Sequence, residues 1–327
     1  MDTTLTFLGI TLHAYGLCAA AAALVMLLGM ALISRWDNLP CGTASLFCAL
    51  GIVLGIAGAR LAYCLLNFST FAETYENLWL MLRFFDGGLA LPGLLLGLAA
   101  AGALTARIQK TAFGQVMDAA AIPAGLMLAM LRLGEQFTDL GVGKVVEENA
   151  VTAAMPWLFL QSRMGKAMEY RLNVWAYEAV AGIVIFGCTL LAWCWLKERR
   201  HGKTGDTALF FCMLFGASQI LLDSMRDDGH MLIIFLRIGQ LSAALLVVLS
   251  CILLSRRYRR QGGRKPRLWF TWTGMTLCML GVVALEFSLD GRFTWGAPSM
   301  LRDYLIMAAL CAAMFALPYS LLRKVSE

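Results

Sequence analysis

The chain has 327 residues, of which 60% are hydrophobic and 15% charged, with a formal net charge of +6. Apolar runs of about 18 or more residues read as membrane-spanning helices, which excludes a soluble globular enzyme. Strands of a membrane barrel would alternate apolar and polar residues, so helices are the expected spanning elements, and the positive charge is read as a topology signal that needs no nucleic-acid partner.

In chain order, the start Met1-Asp-Thr-Thr-Leu-Thr6 lacks the basic region of a removable signal peptide, so the first helix is expected to stay. Nine spans are predicted, at about 12–34, 43–66, 88–105, 115–133, 174–196, 207–223, 231–254, 269–288 and 303–322. The connections after the odd-numbered spans, with the tail, hold sixteen Lys and Arg against eight on the other side. The positive-inside rule then places the N-terminus outside and the C-terminus inside. The segment of about 134–173 falls outside, and the Arg256–Arg267 loop falls in the cytoplasm, where it can also touch anionic headgroups. The ten cysteines are scattered singly with no C-x-x-C pair, so neither a zinc site nor a disulfide framework is expected. They read as small packing residues. No cofactor is implied.

Two arginines stand in or at the end of apolar runs: Arg60 in Gly58-Ala-Arg-Leu-Ala-Tyr63, and Arg132 in Met130-Leu-Arg-Leu-Gly-Glu-Gln136. A guanidinium in hydrocarbon costs about 2.5–3.5 kcal/mol or more, so each marks either a site for an anion or a side chain that snorkels to the interface. The chemistry gathers on the outer side. There lie Asp86-Gly-Gly88, the run from Arg132 to Asp139, the long charged segment 134–173, and Asp223-Ser-Met-Arg226-Asp-Asp228. A connection of that length is expected to form a lid or a small head domain. Asp223 and Arg226 share a helical face, where they can pair with each other or with a ligand. Glycines inside spans (Gly51, Gly55, Gly58, Gly93, Gly97) read as close helix contacts.

The order of these pieces resembles a known family. His13-Ala-Tyr15-Gly16 is similar to its H-x-Y-G start, and Gly58-Ala-Arg60-Leu-Ala-Tyr63 to its G-A-R-L-x-Y segment. Asp86-Gly87-Gly88 followed by Gly93 resembles its D-G-G-x-x-x-x-G turn. Asp118, Pro123 and Arg132-Leu-Gly134 resemble D-x-x-x-P leading to G-R-x-G-N. Tyr177-Glu178 resembles the end of H-P-S-Q-L-Y-E. Phe215-Gly216, Asp223 and Arg226 resemble Y-G-x-x-R-x-x-x-E-x-x-R, and Gly239-Gln240 the G-Q of the last family span. On these motifs, which cover about residues 8–256, the chain resembles the prolipoprotein diacylglyceryl transferases.

Within this all-α polytopic chain the resemblance implies a seven-helix transferase-like domain over 1–256; the basic loop and two extra helices over 257–327 have no counterpart in the family's seven-helix plan. It also implies a multi-pass protein of the bacterial plasma (inner) membrane that moves the diacylglyceryl group of phosphatidylglycerol to the thiol of a lipobox cysteine in a prolipoprotein signal peptide. Such a reaction needs cations for the phosphate and a base for the thiol. The candidate substrate-binding residues are Arg60, Arg132, Arg226, Gly87, Gly88, Tyr177 and Glu178. Glu135, Asp223, His13 and Tyr15 are the candidate catalytic groups, with Glu135 first as the base.

Departures from the family pattern bear on that base. Pro92 stands where the family carries a His, Gln219 replaces the first Arg of the sixth-span motif, and Glu135 replaces an Asn. Leu172-Asn-Val-Trp175 stands in place of H-P-S-Q. A transferase with a substitute base and a non-catalytic lipid- or lipopeptide-binding relative are therefore both open. A transporter fits less well, because the polar residues gather at one face and form no path through the bilayer.

Overall fold

A computed structural model describes residues 4–7, 10–68, 88–138, 140–147, 155, 157–164, 167–198, 203–227, 232–233, 236–292 and 299–326. Nine helices among the described residues are long and apolar enough to cross a membrane. They are α1 (Ala14–Trp36), α2 (Thr43–Leu66), α3 (Leu91–Ile108), α4 (Phe113–Gly134), α5 (Val174–Glu198), α6 (Asp206–Met225), α7 (Ile238–Arg260), α8 (Lys265–Leu289) and α9 (Met300–Ser326). The protein is an all-α polytopic membrane protein, as its composition requires. Side chains such as Leu24, Val53, Leu96, Leu191 and Leu277 are exposed on its flanks. Helices that are apolar all round suit a hydrocarbon solvent.

Local chemistry sets several boundaries. The third span was expected from 88, but its helix starts at Leu91, with Pro92 in the first turn, where the missing N–H costs nothing. Gly88 precedes it at φ +73, and a Cβ there would come within 2.5 Å of the Tyr63 ring, so only glycine serves. The first and seventh helices also start later than expected. Short antiparallel hairpins precede each of them: β1 (Thr4–Phe7) with β2 (Ile10–His13), and Leu232–Ile233 with Leu236–Arg237.

Glycines let neighbouring helices touch backbone to backbone. A Cβ on Gly93 of α3 would run into the Gly58 carbonyl of α2, and one on Gly97 would lie 2.8 Å from Gly55 Cα. Gly125 of α4 and Gly182 of α5 meet in the same way: a Cβ on either would lie within 2.8 Å of the other's carbonyl oxygen. The packing expectation for the spanning glycines holds, by the small-residue contact that membrane helices favour.

Side-chain packing divides into two main clusters. Met26, Met30, Phe47, Ala101, Val116 and Ile122 join α1 to α4. Ile220, Val247, Met275, Val282, Met307 and Met314 join α6, α7, α8 and α9. The two C-terminal helices therefore share a core with α6 and α7. Polar contacts reinforce this: Gln240 Nε2 donates to Glu286, and Tyr304 Oη donates to the Ser224 carbonyl at 3.2 Å. At the opposite end of the bundle, Asp118 of α4 accepts the N–H groups of Gly205 (2.6 Å) and Ala208 (2.8 Å), capping α6 from a neighbouring helix.

The long segment between α4 and α5 is built around a three-stranded antiparallel sheet of β3 (Val142–Val146), β4 (Phe159–Met164) and β5 (Ala167–Asn173), with β5 in the centre. Strand β5 runs directly into α5, so the sheet sits on the bundle end formed by the C-termini of α4 and α6 and the N-termini of α5 and α7. An isolated bridge between Gly143 and Arg226, with the Asp227 N–H donating to the Val142 carbonyl at 2.9 Å, ties β3 to the end of α6.

Candidate functional site

Four segments converge beneath that sheet. The last turn of α4 supplies Arg132 and continues into a single 3-10 turn, Glu135–Phe137. The first turns of α5 supply Tyr177 and Glu178, and the last turns of α6 supply Gln219 and Asp223, with Arg226 as its C-cap. Helix α7 begins alongside with Gly239 and Gln240.

Two guanidiniums and two carboxylates interlock there. Arg226 donates from Nη1 to Glu178 at 2.6 Å and from Nη2 to Glu135 at 3.1 Å. Arg132 hydrogen-bonds the other oxygen of Glu135 and forms an ion pair with Glu178 through Nε at 3.1 Å. Gln219 Nε2 donates to Glu178 at 2.8 Å. Glu178, Arg226 and Glu135 are 1%, 4% and 7% exposed at the side chain, whereas Arg132 is 22% exposed. Arg132 is thus the more exposed of the two cations. Charges this deep persist only when paired and hydrogen-bonded, and the arrangement supplies both.

The backbone overhead is shaped to these groups. Gly141, at φ +75, lies so close to Glu135 that a Cβ would come within 2.7 Å of its Oε2. Gly239 performs the same service for Asp223, whose Oδ2 would lie 2.6 Å from a Cβ at that position. The Asp223 carboxylate thereby sits against the first turn of α7, where the helix dipole favours negative charge.

The remaining candidates take distinct places. Tyr15 packs on Gly134 and lies within electrostatic reach of Glu135, Arg132 and Arg226, so it borders the cluster. His13 is exposed at the N-cap of α1. Arg60 is buried near the end of α2, donating to the Gly88 carbonyl at 3.4 Å and lying 5.5 Å from the Tyr63 ring centroid. It holds the turn before α3. Tyr177 turns away from the carboxylates: its hydroxyl donates to the Leu158 carbonyl and fastens the sheet to α5. Asp86 and Gly87 lie outside the described residues.

Three further residues shape the site without a legible signal as such in the sequence. Gln219 reads only as a lost Arg, yet it is a buried partner of Glu178. Gly141 falls in a loop. Arg237 donates to the backbone carbonyls of Asp223, at 2.9 Å, and Arg226, pinning the end of α6. Its place inside the predicted 231–254 span is the one signal that could have marked it, since a cation there carries the same cost as Arg132.

Known proteins share this chain's pattern. A family model described as prolipoprotein diacylglyceryl transferase matches residues 3–256. The phosphatidylglycerol–prolipoprotein diacylglyceryl transferase of Symbiobacterium thermophilum is 28% identical over 217 residues, covering 65% of this chain and 76% of its own. That of Thermotoga maritima is 28% identical over 211 residues, covering 62% and 65%. The Streptococcus equi subsp. zooepidemicus protein of the same name is 22% identical over 261 residues, covering 77% and 93%. With a family match over residues 3–256, from the first hairpin to within about a turn of the end of α7, the chain belongs to the prolipoprotein diacylglyceryl transferase family.

Proposed function

We propose that this protein transfers the diacylglyceryl group of phosphatidylglycerol to the thiol of a lipobox cysteine in a prolipoprotein signal peptide, in the plasma membrane of a bacterium with the Arg132 cluster facing outward. In that reaction the sulfur forms a bond to the terminal glyceryl carbon, the carbon–oxygen bond to phosphate breaks, and glycerol-1-phosphate leaves. The thiol proton passes to a base. The observation that carries the reading is the pair of guanidiniums, Arg132 and Arg226, held at the mouth of the bundle by Glu178 and Glu135. Planar cations fixed in place before the substrate arrives are what a departing phosphate requires.

In this reading Arg132 receives the phosphate. The anion competes with Glu135 for the more exposed guanidinium, and a Glu135 oxygen so released becomes the acceptor of the thiol proton. Asp223 is the alternative acceptor. Arg60 and Gly88 hold the turn before α3 along the lipid's path, Gly87 joins them by its place in the sequence motif alone, Tyr15 borders the reacting groups, and His13 lies at the margin. Tyr177 positions the sheet.

A second reading, a binding protein without turnover, is favoured by one specific feature. Pro92 occupies the first turn of α3 where the family carries a His, and a proline ring accepts no proton. Complementation of a strain depleted of its own transferase separates the two, read as the mass of a reporter lipoprotein. Diacylglyceryl-modified reporter supports transfer; unmodified reporter, with the protein present in the membrane, supports binding alone.

A further inference from the structure

The helices beyond the family match carry a groove of their own. Between the start of α8 and the end of α9, a cleft of about 450 Å³ is lined by Arg267, Phe270, Ala313, Ala316, Leu317 and Ser320. It lies at the opposite end of the bundle from the Arg132 cluster. The α9 residues fall at helical spacings of three and four along one face, so the groove runs parallel to the helix axis for about 10 Å. The alanines leave the space open, and Phe270 forms its apolar wall.

Polarity changes along it. Ala313, Ala316, Leu317 and Phe270 line the part toward the bilayer interior, whereas Arg267 and Ser320 stand toward the helix ends. Arg267 Nη2 donates to the Ser320 carbonyl at 3.4 Å, which fixes the guanidinium across the mouth. A guanidinium carries five N–H donors, and this contact uses one. Arg264 and Lys265 open α8 beside it, and Arg323 and Lys324 are exposed on the last turn of α9. Trp269, exposed next to the groove, belongs to the residue type that settles at the membrane interface.

We propose that this groove seats one anionic phospholipid, with an acyl chain along Ala313, Ala316 and Leu317 and its phosphate on Arg267. An apolar slot closed at one end by a fixed guanidinium and flanked by cations matches the two-part chemistry of such a lipid. A zwitterionic lipid gains less from the charge, and an apolar protein helix gains nothing from it. Basic pockets between membrane helices are a recurrent seat for anionic headgroups. The site is separate from the reaction site and holds its lipid as a structural ligand of the two extra helices.

The test uses the full chain in lipid nanodiscs with a photoactivatable diazirine on the acyl chain of phosphatidic acid or of phosphatidylcholine, and crosslinked peptides are mapped by mass spectrometry. Phosphatidic acid should label the peptides containing Phe270 and Ala313–Leu317 in clear excess over phosphatidylcholine. Arg267→Gln should cut that excess about fivefold, the weight of one Arg near an anionic surface. Ala316→Leu, which fills the slot and keeps the charge, should abolish labelling there while labelling near Arg132 persists. Equal labelling by the two lipids would overturn the proposal, as would an excess that Arg267→Gln leaves intact. So would a groove that neither lipid labels because a second copy of the chain covers it, seen as protein–protein crosslinks.

Discussion

Arg226 and Glu178 meet across 2.6 Å with side chains 4% and 1% exposed, joining the end of α6 to the start of α5 at the centre of the site. Arg226 also reaches Glu135, and Arg132 reaches both carboxylates, so each acid is shared by both cations and each cation keeps one carboxylate partner if the other is neutralised. Breaking one partner of a buried pair costs about 3–5 kcal/mol, because the other charge stays buried.

Arg132→Lys should be as damaging as Arg132→Ala, lowering reporter lipidation by roughly 10²–10³, the range for losing one fixed charge-stabilising donor. A point charge cannot address Glu135 and Glu178 and present a planar fork to phosphate as well. Near-normal lipidation by the Lys variant would mean that the residue merely snorkels to the interface.

Glu135→Gln should lower turnover by roughly 10²–10⁴, the usual weight of a general base, while binding of phosphatidylglycerol is largely kept. Single-turnover assays with saturating lipid separate the two effects. If Glu135→Gln and Asp223→Asn both react at the normal rate, the base lies elsewhere, with His13 next in line.

Gly93→Ala should destabilise the protein by about 1–3 kcal/mol, the cost of overpacking, because a methyl there runs into Gly58 and Ala62. Gly187→Ala, where a Cβ meets nothing within 4 Å, should be neutral or mildly stabilising, since alanine is the better helix former. Thermal unfolding of the two variants in the same detergent checks the contrast.

A single cysteine at position 260, introduced after the native cysteines are removed, should resist an impermeant thiol reagent in intact cells and react after permeabilisation. Arg260 is exposed at the end of α7, among the basic residues from which the orientation is expected by the positive-inside rule. Labelling from outside would invert the membrane map and with it the proposed outward face of the Arg132 cluster.

Much of the site is legible in the amino-acid sequence. Arg60 and Arg132 declare themselves by cost, and Glu178 and Arg226 by their place in a recurring order of motifs. Other features are not. Nothing in the sequence says that Arg226 joins Glu178 and Glu135, that Tyr177 serves the sheet, or that Gln219 completes the coordination of Glu178. The short strands β3 to β5 carry charged residues of both signs, so the segment reads as a long connection and its pairing escapes notice.

The sequence by itself determines that the chain is a polytopic helical membrane protein, because hydrocarbon forbids unpaired backbone and each apolar run has the length to cross, as the nine long apolar helices among the described residues do. It also determines the orientation to be expected, through the unequal placement of Lys and Arg. The tertiary structure alone decides which charges share a site. Partner choice depends on helix rotation and on close approach at Gly93, Gly125, Gly141 and Gly239, and these distances arise only when segments far apart in the chain pack together. The place of the last two helices is decided in the same way: their apolar faces fit many surfaces, and the buried contacts of Glu286 with Gln240 and of Tyr304 with Ser224 select α6 and α7.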